Sequence, residues 1–578
     1  MRGAPWHLAM RVDHERIDPR RRLFAQQAEQ PAARPQAKNT RQTDAITAPV
    51  LTGEAKADRQ ALSHWLSASI CRQLRLGSDS APAENQDLMQ LGLDSLLFLE
   101  LSSDIQRQLG IRLDAEQAYR DLSIRGLSAL LLADAGKTPV AANDQQIVPD
   151  PKARFEPFPL TPIQHAYWLG RTDLIEYGGV ACHVLFEWDK AYADFDLSRF
   201  ERAWNALIAR HDMLRMVVDS DGRQRILEQT PWYKLPRDDL RDLPEEQQQQ
   251  RLLGIREEMS YRVLPADRWP LFEVTVSELD AGHCRLHMNL DLLLFDVQSF
   301  KVMMDDLATA YAGQDLAPLQ LTFRDYVLTD LAQRDSLQWR QSWRYWQETL
   351  AHLPAAPQLP MAAVPQQGQP RFRTLQATLG AEHWSSFKTQ CQQSGVTASA
   401  ALLALFAQTL ESVSRTPDFT LNLTYFNRRP LHPQVQQLIG DFTSVLLIDF
   451  QLGRGDSLRQ VMESTQARLW QRLTHTNVNG VELMRELGRR QGQSRQPTMP
   501  VVFTSMLGMS LDGKAIDQAM TSTLGDPVHV FTQTPQVWLD HQVVDVEHHL
   551  LALRMHQFYG FLEGGTPLGA PENHHVVP

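Results

Sequence analysis

Leu91-Gly92-Leu93-Asp94-Ser95 and, far downstream, Asp291-Leu292-Leu293-Leu294-Phe295-Asp296-Val297-Gln298-Ser299 are the two stretches on which the reading of this chain turns. In the first, Gly92 permits a tight turn, and Asp94 or Ser95 opens an amphipathic run through Leu97, Leu101, Ile105 and Leu109 that Gly110 stops. Free backbone N–H groups at such a helix start, and the positive end of the macrodipole, favour an anion, so Ser95 stands where a phosphate is welcome. The ordinary alternative is that Asp94 and Ser95 only cap the helix. Ahead of the second stretch, Cys284, Leu286, Met288 and Leu290 alternate with Arg285, His287 and Asn289, which predicts a half-buried strand with one apolar and one polar face. Asp291 continues the polar face, and the run to Asp296 leaves the strand.

Working outward, the 578 residues, 43% hydrophobic and 22% charged, suffice for several cores, and ordinary domain sizes predict about three or four units. Residues 1–55 carry Arg, Gln, Ala and Pro without a sustained apolar period and are expected to be a disordered leader. Leu62, Trp65, Leu66, Ser69, Ile70 and Leu74 then recur at helical spacing. With the helix after Ser95, a short element near Ala115–Arg120 and a last helix from Ser123 to Ala133, they make a small four-helix unit over 56–135, followed by a linker over 136–153. Beyond it, strand-like runs at Val180–Trp188, Phe272–Leu279, Cys284–Leu290, Phe419–Phe426, Ser444–Phe450 and Val501–Thr504 alternate with helical stretches such as Leu197–Arg210 and Thr397–Leu410. That alternation predicts a layered α/β arrangement.

Composition also excludes classes of function. A net charge of -11 opposes general affinity for nucleic acid. No uncharged apolar run of about 18 residues is present, so neither export nor a membrane span is expected. The widely separated Cys71, Cys182, Cys284 and Cys391 form no metal or disulfide spacing and fit a reducing cytoplasm. His283 and His287 share a strand face but lack a third ligand motif, and are read as a buried or solvated pair.

Leu91 to Ser95, followed by Leu96, Leu97 and the Leu101 face in a four-helix unit, resembles the acyl or peptidyl carrier domains of nonribosomal peptide and polyketide synthetases. The resemblance implies a 4'-phosphopantetheine arm on Ser95. From about Phe155 the chain resembles the heterocyclization branch of condensation domains. The motifs that carry the likeness are Phe158-Pro159-Leu160-Thr161-Pro162-Ile163-Gln164-His165-Ala166-Tyr167-Trp168-Leu169-Gly170-Arg171, Arg210-His211-Asp212-Met213-Leu214, the Pro-rich Leu353–Pro360, Gly440-Asp441-Phe442-Thr443, Pro500–Gly508 and Gln533-Thr534-Pro535-Gln536-Val537-Trp538-Leu539-Asp540, in the family's order. In ordinary condensation domains paired histidines stand where this chain has Asp291 and Leu292. The implied fold is a small all-α four-helix carrier bundle followed by an α/β, two-lobed, chloramphenicol-acetyltransferase-like condensation fold, with an N-lobe over 154–335 and a C-lobe over 336–545. The implied reaction centre is a tunnel between the lobes.

The chemistry implied is amide formation between an upstream carrier-bound acyl thioester and a downstream carrier-bound cysteine, serine or threonine, then addition of the side-chain thiol or hydroxyl to the amide carbonyl and loss of water. Ring closure needs a base or an orienting acceptor, and hydroxide loss needs a proton donor; a carboxyl group in a partly dry site can serve. The resemblance assigns this role to Asp540 with Thr504 as its hydrogen-bonding partner, and Ser505 is the alternative hydroxyl. Asp291 is a further chemical candidate, while Asp296, Ser299 and Ser505 are expected to support the site. The plain alternative is that Thr504 closes a strand edge and Asp540 caps a turn.

Implied partners are the downstream carrier and adenylation domains of one synthetase assembly and a phosphopantetheinyl transferase, with no nucleic acid or membrane. The product class implied is a thiazoline or oxazoline, as in yersiniabactin-type siderophore synthesis. The rival expectations are a condensation catalyst that stops at the amide, and an inactive fragment keeping carrier and docking roles. The second rival rests on residues 546–578, which depart from the family pattern and are expected to be a truncated tail that leaves the last layer of the C-lobe incomplete.

Overall fold

The computed structural model describes residues 49, 55–73, 81–91, 93, scattered positions from 98 to 118, 121–134 and 147–558, with breaks at 173–174, 176–177, 193–194, 281, 361–370, 430, 454, 493–496, 508–523 and 547–549. Ser95 and Asp94, the leader up to residue 48, most of the element expected at 115–120, the linker before residue 147 and residues 559–578 lie outside the described residues.

In the carrier unit, α1 (Ala55–Gln73) and α2 (Ile124–Asp134) pack against each other. Leu62, Trp65, Leu66, Ser69 and Ile70 are buried on one face of α1, as the spacing predicts, and meet Ile124, Leu127, Ser128 and Leu131 of α2. Ser123 starts α2 by accepting the Gly126 N–H at 3.0 Å, and the Ser63 and Ser128 hydroxyls meet at 3.3 Å between the helices. Leu88, Leu93, Phe98, Leu101 and Ile105 complete this core. Phe98 also lies edge-on to Trp470, 5.5 Å between ring centroids, so the carrier rests on the C-lobe.

The N-lobe runs through β1 (Phe158–Pro159), α3 (Pro162–Gly170), β2 (His183–Ala191), α4 (Leu197–Arg210), β3 (Met216–Val218), β4 (Arg223–Ile226), β5 (Arg237–Asp239), α5 (Glu245–Tyr261), β6 (Phe272–Glu278), β7 (His283–Asp291), α6 (Val297–Tyr311) and α7 (Phe323–Ala332). The C-lobe opens with α8 (Leu337–Leu350), whose Trp346 and Leu350 lie in its core, and adds β8 (Phe372–Leu379), α9 (Ala381–Gln393), α10 (Ala398–Val413), β9 (Asp418–Phe426), β10 (Thr443–Gln451), α11 (Leu458–Leu473), α12 (Gly480–Gln491), β11 (Val501–Ser505), β12 (Asp526–Gln533), β13 (Leu539–Val546) and β14 (Leu550–Phe558). Three sheets result, in the orders β1-β4-β3, β12-β2-β7-β6-β5 and β10-β9-β11-β13-β14-β8.

Two features of this topology depart from the lobe boundaries expected from sequence. Strand β12, far into the C-terminal half, crosses over and pairs antiparallel with β2 of the N-lobe, Gln533 opposite His183. It straps the lobes together immediately before the chain enters β13. Strand β14, within the residues set apart as a divergent tail, fills the place between β13 and β8 and carries the sheet on to Phe558.

The polar face expected on β7 is buried as well as the apolar one. Helix α5 covers it: the Asn289 side chain donates to the Met259 carbonyl at 3.1 Å, and Arg256 donates to Glu187 at 2.8 Å. Glu187 in turn bonds His287 at 2.9 Å, and Ser277 meets the other ring nitrogen at 2.9 Å. Burial opposes ionisation of Glu187, yet His287 and Arg256 pull its carboxyl down to about 2. The His287 ring thus belongs to a filled network, whereas His283 is exposed beside Asp280.

Ser299 fastens α6 to the C-lobe, its hydroxyl donating to the Gly440 carbonyl at 2.8 Å and accepting the Gly440 N–H at 3.1 Å. A Cβ at position 440 would sit 2.2 Å from Cδ2 of Phe323, whose ring is locked among Phe158, Tyr326 and Phe442. Gly440→Ala is therefore expected to destabilise the fold by about 1–3 kcal/mol through overpacking, read as a lower thermal midpoint. A midpoint equal to wild type would show that the Phe323 cluster yields.

Among the described residues no single helix is long and apolar enough to cross a membrane.

Candidate active site

Strands β9, β11 and β13 run parallel in the middle of the C-lobe sheet, with Thr504 opposite Thr424 on one side and Gln542 on the other. Because side chains alternate, Thr424, Thr504, Gln542 and Asp540 share one face. The opposite face carries Phe503, against Phe406 of α10, and Ser505, whose hydroxyl meets Ser399 at 2.9 Å. Ser505 therefore points away from Asp540.

On the shared face the Thr504 hydroxyl donates to Asp540 Oδ1 at 3.5 Å, and the Gln542 side-chain amide donates to Oδ2 at 2.7 Å. Asp540 is buried. Burial pushes its carboxyl up to about 6, and the bonds from Gln542 and Thr504 hold it from rising further. Gln542 was not singled out from the sequence, although the two-residue spacing from Asp540 in a strand carries that signal.

The turn that delivers Asp540 is tightly held. The Trp538 N–H donates to the Pro500 carbonyl at 2.7 Å, which ties β13 to the start of β11. Gln536 adopts φ 63, a left-handed conformation that a side chain disfavours. At position 170, the end of α3, a Cβ would lie 2.3 Å from Pro535, so glycine is what lets the N-lobe helix abut this turn.

Helix α3 begins with a capping box between Thr161 and Gln164, and Gln164 also donates to the Leu293 carbonyl at 2.7 Å. Its Ile163 packs with Val445 and Val481, placing the helix over the same sheet face as Thr504 and Asp540. Tyr167 of α3 bonds Cys182, and the Cys182 thiol donates to the Thr534 hydroxyl at 3.6 Å. Burial pushes the thiol up to about 12 and the Tyr167 hydroxyl well above its usual range. The carboxyls of Asp540 and Asp441 both add to those two shifts. Tyr167, Cys182, Asp441 and Asp540 are thus neighbours at the junction of the lobes; Tyr167 and Asp441 lie within motifs and Cys182 is read from sequence only as an isolated cysteine, so none of the three carries a site role there.

Asp291 ends β7 in the N-lobe, opposite His183, and among the described residues shares no hydrogen bond with Thr504 or Asp540. Arg171, following α3, forms an ion pair with Asp291, whose Oδ1 accepts the Leu293 N–H at 3.0 Å. Asp296 caps α6 by accepting the Ser299 N–H at 2.7 Å and pairs with Arg428 at 3.1 Å. Arg428 also donates to the Ser299 hydroxyl at 2.8 Å.

A carrier bundle resting on a two-lobed α/β domain, with a shifted carboxyl at the lobe junction, defines an acyl-condensing domain fed by a carrier arm. Residues 156–530 match the condensation domain family and residues 64–131 match the phosphopantetheine attachment site; the chain belongs to the condensation domains, in the cyclization branch found in nonribosomal peptide synthetases, and its carrier takes a covalent 4'-phosphopantetheine. The EpoB cyclization-docking bidomain from Sorangium cellulosum is 34% identical with a TM-score of 0.66, covering 78% of this chain and 89% of that one. Pyochelin synthetase PchF of Pseudomonas aeruginosa is 37% identical over 68% of this chain but 22% of its own length. Phenyloxazoline synthase MbtB of Mycolicibacterium paratuberculosis is 35% identical over 82% of this chain and 40% of its own length. The chain therefore spans less than half of these curated relatives.

Proposed function

We propose that this chain joins an acyl group carried on Ser95 to a cysteine, or a serine or threonine, on a downstream carrier, and closes the amide to a thiazoline or oxazoline in the cytoplasmic synthesis of a siderophore. Ser95 would receive its arm from a phosphopantetheinyl transferase. Leu93 and Phe98, the described residues nearest it in sequence, are buried in the carrier core. When bound, the arm supplies a terminal thiol for thioester linkage.

The observation that carries this reading is the Thr504–Asp540–Gln542 arrangement, a carboxyl poised near 6 at the junction of the lobes. Such a group changes protonation state readily near neutral pH, as ring closure and water loss require. In this mechanism the Asp540 carboxylate takes the proton of the thiol or hydroxyl as it adds to the amide carbonyl. Thr504 and Gln542 hold the carboxyl in place, and burial keeps water from competing for it. Asp291 anchors the end of α3 through Arg171, and Asp296 and Ser299 brace the loop around Gly440. Names of relatives support the product class: a pyochelin synthetase and a phenyloxazoline synthase are among them.

The test loads the full chain with coenzyme A and a phosphopantetheinyl transferase, charges it with an aryl or aminoacyl group, and adds a cysteinyl downstream carrier. The expected product is one water lighter than the open amide. Amide alone would reduce the chain to a condensation catalyst, and no coupling at all would make it a docking fragment.

A further inference from the structure

Asp441 lies in the turn that leads into β10 and is 1% exposed. Its Oδ1 accepts the Thr443 N–H at 3.0 Å, while Oδ2 is buried and meets no hydrogen-bonding partner among the described residues. Folded proteins pair almost all such atoms, so an open one at a reaction site points to something that arrives from outside. Among the described residues no ion pair reaches it: the neighbouring Arg428 lies over the Phe442 ring and donates to Asp296, Ser299 and the carbonyls of Val435 and Leu438.

Burial, reinforced by the charge of Asp296 and opposed by the bond from Thr443, raises the Asp441 carboxyl well above the usual carboxylate range. The neutral, protonated form is the one this setting favours. With Oδ1 engaged as an acceptor, the proton belongs on Oδ2, a donor that finds no acceptor among the described residues. Two carboxyls near one reaction space with separated proton affinities mark an acid and a base.

We propose that Asp441 is the second carboxyl of the reaction, its Oδ2 donating the proton with which the substrate oxygen leaves as water. This rests on the cyclodehydration reading above. In ring closure Asp540 passes the proton it took from the thiol or hydroxyl on to the former carbonyl oxygen and is again a carboxylate, so the carbon then bears a hydroxyl, the ring sulfur or oxygen, and the ring nitrogen. Its C–O bond breaks as the hydroxyl takes the Asp441 proton and departs as water. The nitrogen lone pair forms the C=N bond, and the N–H proton passes to the Asp540 carboxylate. Asp441 ends as a carboxylate and Asp540 as an acid, and exchange with water restores both.

Asp441→Asn keeps the shape, the neutrality and the acceptor for Thr443 but has no acidic proton to give. With the full chain and loaded carriers, ring formation is expected to fall at least tenfold, while amide formation stays within twofold of wild type. The open amide, recognised by its alkylatable thiol, accumulates. Asp441→Ser is equally unable to give up a proton and serves as the second variant; either decides once its melting curve shows it folded. A folded variant that closes the ring at the wild-type rate overturns the role, as does one in which amide and ring formation fall by the same factor. If wild type itself yields only amide, the cyclodehydration reading has failed; if wild type closes the ring and folded Asp441→Asn does too, only the Asp441 role falls.

Discussion

Asp540→Asn is expected to stop the chain at the amide: ring formation drops by about 10²–10⁴-fold, the usual contribution of a positioned acid or base, while thioester condensation continues. Product mass on loaded carriers reads both steps at once. The wild-type ring-closing rate is expected to rise with pH through about 6, because the step begins with the carboxylate, and the variant loses that inflection. The same substitution should stabilise the fold. A carboxyl raised from 3.8 to about 6 binds its proton more tightly folded than unfolded, so its contribution is full at low pH and is lost as pH rises through 6. Two pKa units correspond to about 3 kcal/mol, so above pH 6 the uncharged variant should melt higher than wild type, with the gap closing toward pH 4. A variant that forms the ring normally, or melts below wild type at pH 8, contradicts the role given to this residue. Activity lost together with stability gained is the signature of a group kept buried for its chemistry.

Much of this arrangement was legible because burial on one face imposes a period. Leu197–Arg210 was read with the bounds it has, and the strands around Phe272, Cys284, Phe419 and Ser444 emerged within a residue or two. Periodicity failed where burial was two-sided. On β7 the polar residues looked solvated because their partners, Glu187 and Asp189 on β2 and Arg256 on α5, lie far away in sequence. Pairing between distant strands was equally invisible: no local signal says that Asp526–Gln533 abandons its own lobe for β2. At the site, motif order placed Thr504 and Asp540, but not which face of β11 each hydroxyl takes. Parity along the strand settles that, since Thr504 aligns with Gln542 while Ser505 turns to Ser399. Asp441 was quoted within a motif and given no role, because an unpartnered oxygen is a property of surroundings rather than of sequence.

Arg428→Met is expected to be the most destabilising of the substitutions considered. The pair between Arg428 and Asp296 is almost wholly enclosed, with side chains 1% and 0% exposed. Deleting the guanidinium strands a buried carboxylate and also removes donors from the Val435 and Leu438 carbonyls. Breaking such a pair from one side costs about 3–5 kcal/mol, enough to be plain in a urea or thermal transition. Asp296→Asn alone should also destabilise, since Asn caps a helix as well as Asp does but leaves Arg428 uncompensated. The double variant should recover a large part of either loss, because two neutral groups avoid the desolvation of both ions. The pair sits where α6 is fastened through Ser299 to Gly440, next to Asp441, so the folded fraction of the single variants should also form the ring more slowly. If Arg428→Met costs less than about 1 kcal/mol, the range of a surface ion pair, water reaches this junction and the enclosed character argued for it is wrong. If stability falls but the folded fraction closes the ring at full rate, the brace and the chemistry are separate.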